Sequence, residues 1–132
     1  MLNVLITGAN RGIGLAITEL ALKRGDKVVA TCRHPSSAKE LIALREGYLD
    51  RCEIVSLDVV NEDSLHDAAL KIKDHLDLLV CNAGVLNGYG GMMSAENTMD
   101  AFRDVLMTNV ASPFLPRGIS CLILGIASLV PR

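Results

Sequence analysis

Apolar positions along this chain follow two rhythms, and the two alternate. Residues 2–7 (LNVLIT) are a short apolar run with β-branched side chains, stopped by Gly8, which is the pattern of a buried strand. Ile13, Ala16, Ile17, Leu20 and Ala21 then recur at the spacing of one helix face, and Gly25 stands where that helix needs a left-handed end. Residues 27–31 (KVVAT) predict a second strand. Pro35, Ser36 and Ser37 open a second helix, which carries Leu41, Ile42 and Leu44 as far as Gly47. Residues 53–57 (EIVSL) predict a third strand. Asn61 caps the next helix, with Glu62 and Asp63 near its positive end and Leu65, Ala68, Ala69 and Ile72 on its apolar face. Residues 77–81 (DLLVC) predict a fourth strand. A loop rich in Gly and Met spans 84–94. The spacing after it predicts a helix over 95–110 with Phe102, Val105 and Leu106 facing inward.

Strand followed by helix, four times over with short connections, predicts βαβ units: an α/β fold with a doubly wound parallel sheet of four to five strands and helices on both faces. Its 132 residues suit one domain. The reading divides them into a nucleotide-binding unit over 1–115 and an atypical apolar tail over 116–132. Pro113 and Pro116 stop any helix there. The tail is either a fifth strand over 120–124 or an unpaired remnant. It reads first as an alternative or frameshifted terminus, next as a deletion that joins the helix to a fifth strand, and last as a protease-site scar, since its last four residues, LVPR, match a thrombin recognition sequence.

The net charge of −2, without a run of one sign, argues against nucleic acid or an anionic membrane as partner. No apolar run reaches the roughly 18 residues needed to span a bilayer, and the N-terminus lacks the basic start of a signal peptide. A cytoplasmic protein is expected. Cys32, Cys52, Cys81 and Cys121 form no C-x-x-C pair and no metal-ligand spacing, so they read as small buried hydrophobes and no metal site is expected. His34, His66 and His75 sit in polar contexts and read as surface residues.

The chemistry is carried by the turn after the first strand, Thr7-Gly8-Ala9-Asn10-Arg11-Gly12-Ile13-Gly14. Glycine at 8 permits a tight turn. Glycines at 12 and 14 remove the Cβ atoms that would keep a diphosphate from the free N–H groups of the helix that follows. The spacing is G-x-x-x-G-x-G, and the flanking strand and amphipathic helix supply the context that a glycine triplet alone lacks. Gly8, Arg33, Asp58 and Asn82 all fall just past the carboxyl ends of predicted strands, the edge where open α/β sheets bind ligands.

T-G-x-x-x-G-I-G resembles the cofactor signature of short-chain dehydrogenases/reductases. Three later motifs agree in order. Leu57-Asp58-Val59 resembles the family's adenine-contacting aspartate and its neighbour. Asn82-Ala83-Gly84 resembles its N-A-G motif along the cofactor. Thr108-Asn109-Val110 resembles the helix that carries the tetrad asparagine. The ANRGIG loop and the TCR segment further resemble the C-factor and sniffer-like carbonyl reductases. The resemblance covers residues 1–115 and implies a Rossmann-like fold whose C-terminal half is missing here. It implies an oxidoreductase that interconverts a small carbonyl and its alcohol with a nicotinamide dinucleotide, as a homo- or hetero-oligomer. Gly8, Asn10, Arg11, Gly12, Ile13, Gly14, Arg33, Asp58, Val59, Asn82, Ala83 and Gly84 would bind the cofactor, and Asn109 would be catalytic.

An NAD site places an acid about 20 residues past the glycines to accept from the ribose hydroxyls. Here that place reads Thr31-Cys32-Arg33. Arg33 and Arg11 instead suit a 2′-phosphate, so NADP(H) is favoured over NAD(H). The family's proton donor is a tyrosine with a lysine four residues later. Tyr48 is followed at that distance by Cys52, and Tyr89 by Met93. The chain as it stands is expected to be weak or inactive. The alternative is a non-catalytic nucleotide-binding or interaction module that pairs with a full-length relative.

Overall fold

The computed structural model describes residues 1–86 and 94–114. Within them lie β1 (Asn3–Thr7), α1 (Gly12–Arg24), β2 (Lys27–Cys32), α2 (Lys39–Glu46), β3 (Cys52–Ser56), α3 (Glu62–Lys71), β4 (Leu78–Val80) and α4 (Met99–Leu106). The strands form one parallel sheet in the order β3-β2-β1-β4. Strand order therefore reverses between β1 and β4, and that crevice is where such sheets take ligands. The predicted tail and its possible strand fall outside the described residues.

Alternation along β1 builds two cores. Val4 and Ile6 join Ala21, Leu22, Val28, Ala30, Leu41 and Cys52 under α1 and α2. Leu5 points the other way, with Val55, Leu57, Leu65, Ala68, Ile72 and Leu76 under α3. Val4, Leu5 and Ile6 are all buried, as expected of a parallel strand covered by helices on both faces. Gly25 ends α1 at φ 98°, and Asn61 caps α3 by accepting from the Ser64 N–H at 2.8 Å. Pro35–Ser37 forms a separate 3₁₀ turn ahead of α2.

Three expectations are corrected. On α1 the inward residues are Gly14, Thr18, Ala21 and Leu22, flanked by Leu15 and Ile17, whereas Ile13 and Leu20 are 73% and 68% exposed. Gly14 sets this phase. It packs so closely on the turn after β1 that an added Cβ would run into the Gly8 carbonyl, and the rest of the helix follows. The last helix begins at Met99 because Thr98 caps it, accepting from the Ala101 N–H at 3.1 Å. Phe102 and Leu106 face outward on it. Its inward side is Ala101, Val105, Thr108 and Ser112; the apolar spacing marks Val105 among these but not the small or polar residues beside it. Cys32 and Cys52 are buried as expected, but Cys81, just past β4, is exposed. All three histidines are exposed.

Candidate functional site

The carboxyl ends of the strands open into a cleft of about 890 Å³. Its floor is the turn from β1 to α1. Gly8 sits at φ 67°, and a Cβ there would lie 2.9 Å from the Ala83 Cα, so only glycine lets the two loops touch. At Gly14 a Cβ would come within 2.5 Å of the Asn82 Nδ2. Gly12 differs: it sits at φ 55°, and a Cβ there would meet nothing within 4 Å. The space it leaves is cleft, in front of the first N–H groups of α1. Arg11 is the N-cap, no side chain caps the helix, and its first turn has no acid. The positive end of α1 is therefore free to take an anion.

The segment after β4 is fastened to this turn by Thr7 and Asn82. The Thr7 hydroxyl accepts from the N–H groups of Asn82 and Ala83, each at 3.0 Å, and donates to the Val80 carbonyl at 3.4 Å. The Asn82 side chain donates to the carbonyls of Thr7 and Gly8, both at 3.1 Å. Ala9 donates to the Thr31 carbonyl at 2.9 Å, which ties the loop to β2 as well.

Arg11 and Arg33 both line the cleft, and among the described residues neither has an ion-pair partner. The Arg33 carbonyl is fixed by the Ser56 hydroxyl at 3.2 Å. Asp58 follows β3. Its carboxylate accepts from the Val60 N–H at 3.2 Å, and its own N–H donates to the Ser64 hydroxyl at 2.9 Å. Asn10, Ile13, Val59, Ala83 and Gly84 also line the cleft.

Asn109 lies in a wider-wound π-helical turn, Met107–Ala111, that continues α4. It is exposed rather than turned into a core, yet its amide is paired at both ends. Oδ1 accepts from the Val85 N–H and Nδ2 donates to the Val85 carbonyl, each at 2.8 Å. Gly84 gives it room, since a Cβ there would lie 3.3 Å from that oxygen.

The structure thus brings eleven of the thirteen sequence-selected residues to one cleft, packs Gly14 against Gly8 and Asn82 rather than in the cleft lining, and sets Asn109 on the segment that forms its rim. It adds His34, Ser37, Val85, Asp104 and Thr108 to the lining. Of these, His34 and Ser37 had a signal, their nearness to Arg33; Thr108 adjoins Asn109 in the sequence, and Asp104 stands one helical turn before Thr108. Burial pushes the thiols of Cys32 and Cys52 up from the usual range, and partial desolvation does the same at the exposed Cys81, so none of the three is an activated nucleophile. Tyr48 packs against the α1/α2 core with Arg51 5.3 Å over its ring, away from the cleft lining. Tyr89 falls outside the described residues. A second hollow, about 570 Å³, lies at the amino ends of the strands with Lys27, Arg45 and Arg51 offset by Asp50, Glu53 and Asp74. Among the described residues no helix is long and apolar enough to cross a membrane.

Residues 2–118 match the short chain dehydrogenase family. The chain is 36% identical over 114 residues to a 3-oxoacyl-[acyl-carrier-protein] reductase of Vibrio cholerae, which covers 83% of this chain and 44% of that protein. An uncharacterised oxidoreductase of Schizosaccharomyces pombe is 34% identical over 112 residues, covering 82% of this chain and 43% of that one. Among solved structures, a short-chain dehydrogenase/reductase from Burkholderia multivorans with bound NADP superposes with a TM-score of 0.82 at 34% identity, over 92% of this chain and 54% of that one. An NADPH-bound carbonyl reductase from chicken fatty liver gives 0.79 at 32% identity, over 94% and 50%. The chain spans about half the length of the relatives it matches. A parallel sheet of this order, the glycine turn at its switch point and a match running from β1 past α4 agree: the chain belongs to the short-chain dehydrogenase family.

Proposed function

We propose that this chain is the cofactor-binding part of an NADP(H)-dependent oxidoreductase acting on a carbonyl or its alcohol, and that these 132 residues alone bind the dinucleotide with little or no turnover. The observation that carries the reading is the pairing of an uncapped, acid-free helix N-terminus with two arginines that have no ion-pair partner among the described residues, around one glycine-floored cleft. The residues present fit a dinucleotide. The open space at Gly12 admits a diphosphate to the α1 N–H groups, with Gly8 and Gly14 holding the turn and Asn10 and Ile13 flanking it. Arg11 and Arg33 meet the 2′-phosphate. Asp58 and Val59 receive the adenine. Asn82, Ala83 and Gly84 border the ribose and nicotinamide. When bound, the nicotinamide supplies or accepts a hydride. Asn109 orients the rim through Val85.

Proton delivery is the missing part. The family's acid is a tyrosine held by a lysine, and neither Tyr48 nor Tyr89 has a lysine four residues on. Positioned acid–base groups contribute about 10²–10⁴ in rate. With NADPH and a panel of aldehydes and ketones, turnover is expected below about 0.01 s⁻¹, against about 10 s⁻¹ for a typical enzyme. Turnover near the typical value contradicts the inactive reading. It also removes the second reading, a non-catalytic module that pairs with a full-length relative. That second reading is favoured by the outward apolar side of α4 and of the turn that continues it, where Met99, Phe102, Leu106 and Val110 are exposed.

A further inference from the structure

We propose that His34 is a third contact for the anionic group that Arg11 and Arg33 meet, and that its protonation strengthens the preference for NADPH over NADH as pH falls. This rests on the reading of the cleft as an NADP(H) site. His34 follows Arg33 directly, lines the same cleft and is exposed. It stands on a fixed corner. Its carbonyl accepts from the Ser37 hydroxyl at 3.0 Å and the Ser37 N–H at 3.2 Å, and Pro35 sets the backbone angle that follows. The Arg33 carbonyl just before it is held by Ser56. The backbone of the corner is therefore bonded into one arrangement before any ligand arrives.

His34 is also uncommitted. His75 lies 3.5 Å from the Asp77 carboxylate, whereas among the described residues no acid pairs with His34. The charged groups that share the cleft with it are Arg11 at the start of α1, Arg33 at the end of β2, Asp58 after β3 and Asp104 on α4. The Asp58 carboxylate already accepts from Val60. A phosphate and an imidazolium attract, so phosphate binding and proton uptake by the imidazole favour each other. NADH has no such phosphate and gains nothing from the proton.

The test is the ratio of NADPH to NADH affinity, measured by calorimetry between about pH 5.5 and 8.5, where histidine changes charge. Wild type, His34→Gln and His34→Arg are compared. Ionisation of the 2′-phosphate itself is common to all three. At the acid end the wild-type ratio is expected to exceed that of His34→Gln by about fivefold, as for an exposed charge pair worth about 1 kcal/mol. At the alkaline end the two converge, and His34→Arg stays above His34→Gln throughout. Coincident curves for wild type and His34→Gln, with NADPH still preferred, overturn the role of His34 and leave the cofactor site standing. A folded chain that binds neither dinucleotide overturns both.

Discussion

The Thr7 hydroxyl accepts from two backbone N–H groups of the segment after β4, and Asn82 returns two side-chain bonds to the turn that Thr7 begins. Thr7→Val keeps the shape and removes the acceptor, leaving the Ala83 N–H unanswered and the Asn82 N–H with only the Val80 carbonyl at 3.0 Å. It is expected to cost about 1–3 kcal/mol in urea unfolding, with Thr7→Ser recovering most of it. Gly14→Ala places a methyl group against the Gly8 carbonyl and the Asn82 amide, and is expected to destabilise by about 1–3 kcal/mol and to weaken NADPH binding as the turn shifts. The two positions differ in how visible they are. Glycines at fixed spacing declare a need for close approach, because no other residue meets it. A threonine at a strand end is ordinary in composition, and its role appears only when the segment after β4, 75 residues later in the numbering, is seen beside it.

Elements were legible where their signals are local, and less so where packing sets them. Gly25 and Asn61 terminate and start helices through their own backbone and side-chain preferences, and both stand where the sequence places them. Strands β1 to β4 differ from their predicted spans by a residue at most at either end. The face of α1 was not legible, because it is fixed by the tertiary approach of Gly14 to Gly8 rather than by the helix's own apolar count. On α4 the apolar spacing marks Val105, which is half-buried, together with Phe102 and Leu106, which face outward, and the residues that this segment gives to the cleft are Asp104 and Thr108. The tie between α4 and the rest of the cleft is the paired Asn109–Val85 contact. Asn109→Ala is expected to raise hydrogen exchange at the Val85 amide by about tenfold, from losing a bond worth about 1.4 kcal/mol, while the β1 and β2 amides stay protected. Equal exchange in both proteins would show that the contact does not hold the rim.

At the scale of the molecule, the two ends of the sheet do different work. At the amino end, buried Asp26 accepts from the Leu2 N–H at 2.9 Å and from Arg24 at 2.6 Å, and these bonds hold its carboxyl below the ordinary range. A carboxyl lowered on folding stabilises the protein above its unfolded pKa, about 3.9, and that stability is lost as pH falls through the lower folded value. Unfolding midpoints in urea should therefore drop in wild type below about pH 4, and Asp26→Asn, less stable at neutral pH, should show a flatter acid limb. At the carboxyl end, the switch point, the helix N-terminus and the arginines converge on one cleft. The account stands most directly on calorimetry of the purified chain with NADPH and NADH, beside Arg33→Ala. Saturable binding, tighter for NADPH and weakened by about tenfold in the variant while NADH binding is unchanged, is the predicted result. A folded chain that binds neither dinucleotide, or that binds NADPH equally well without the Arg33 guanidinium, would contradict it.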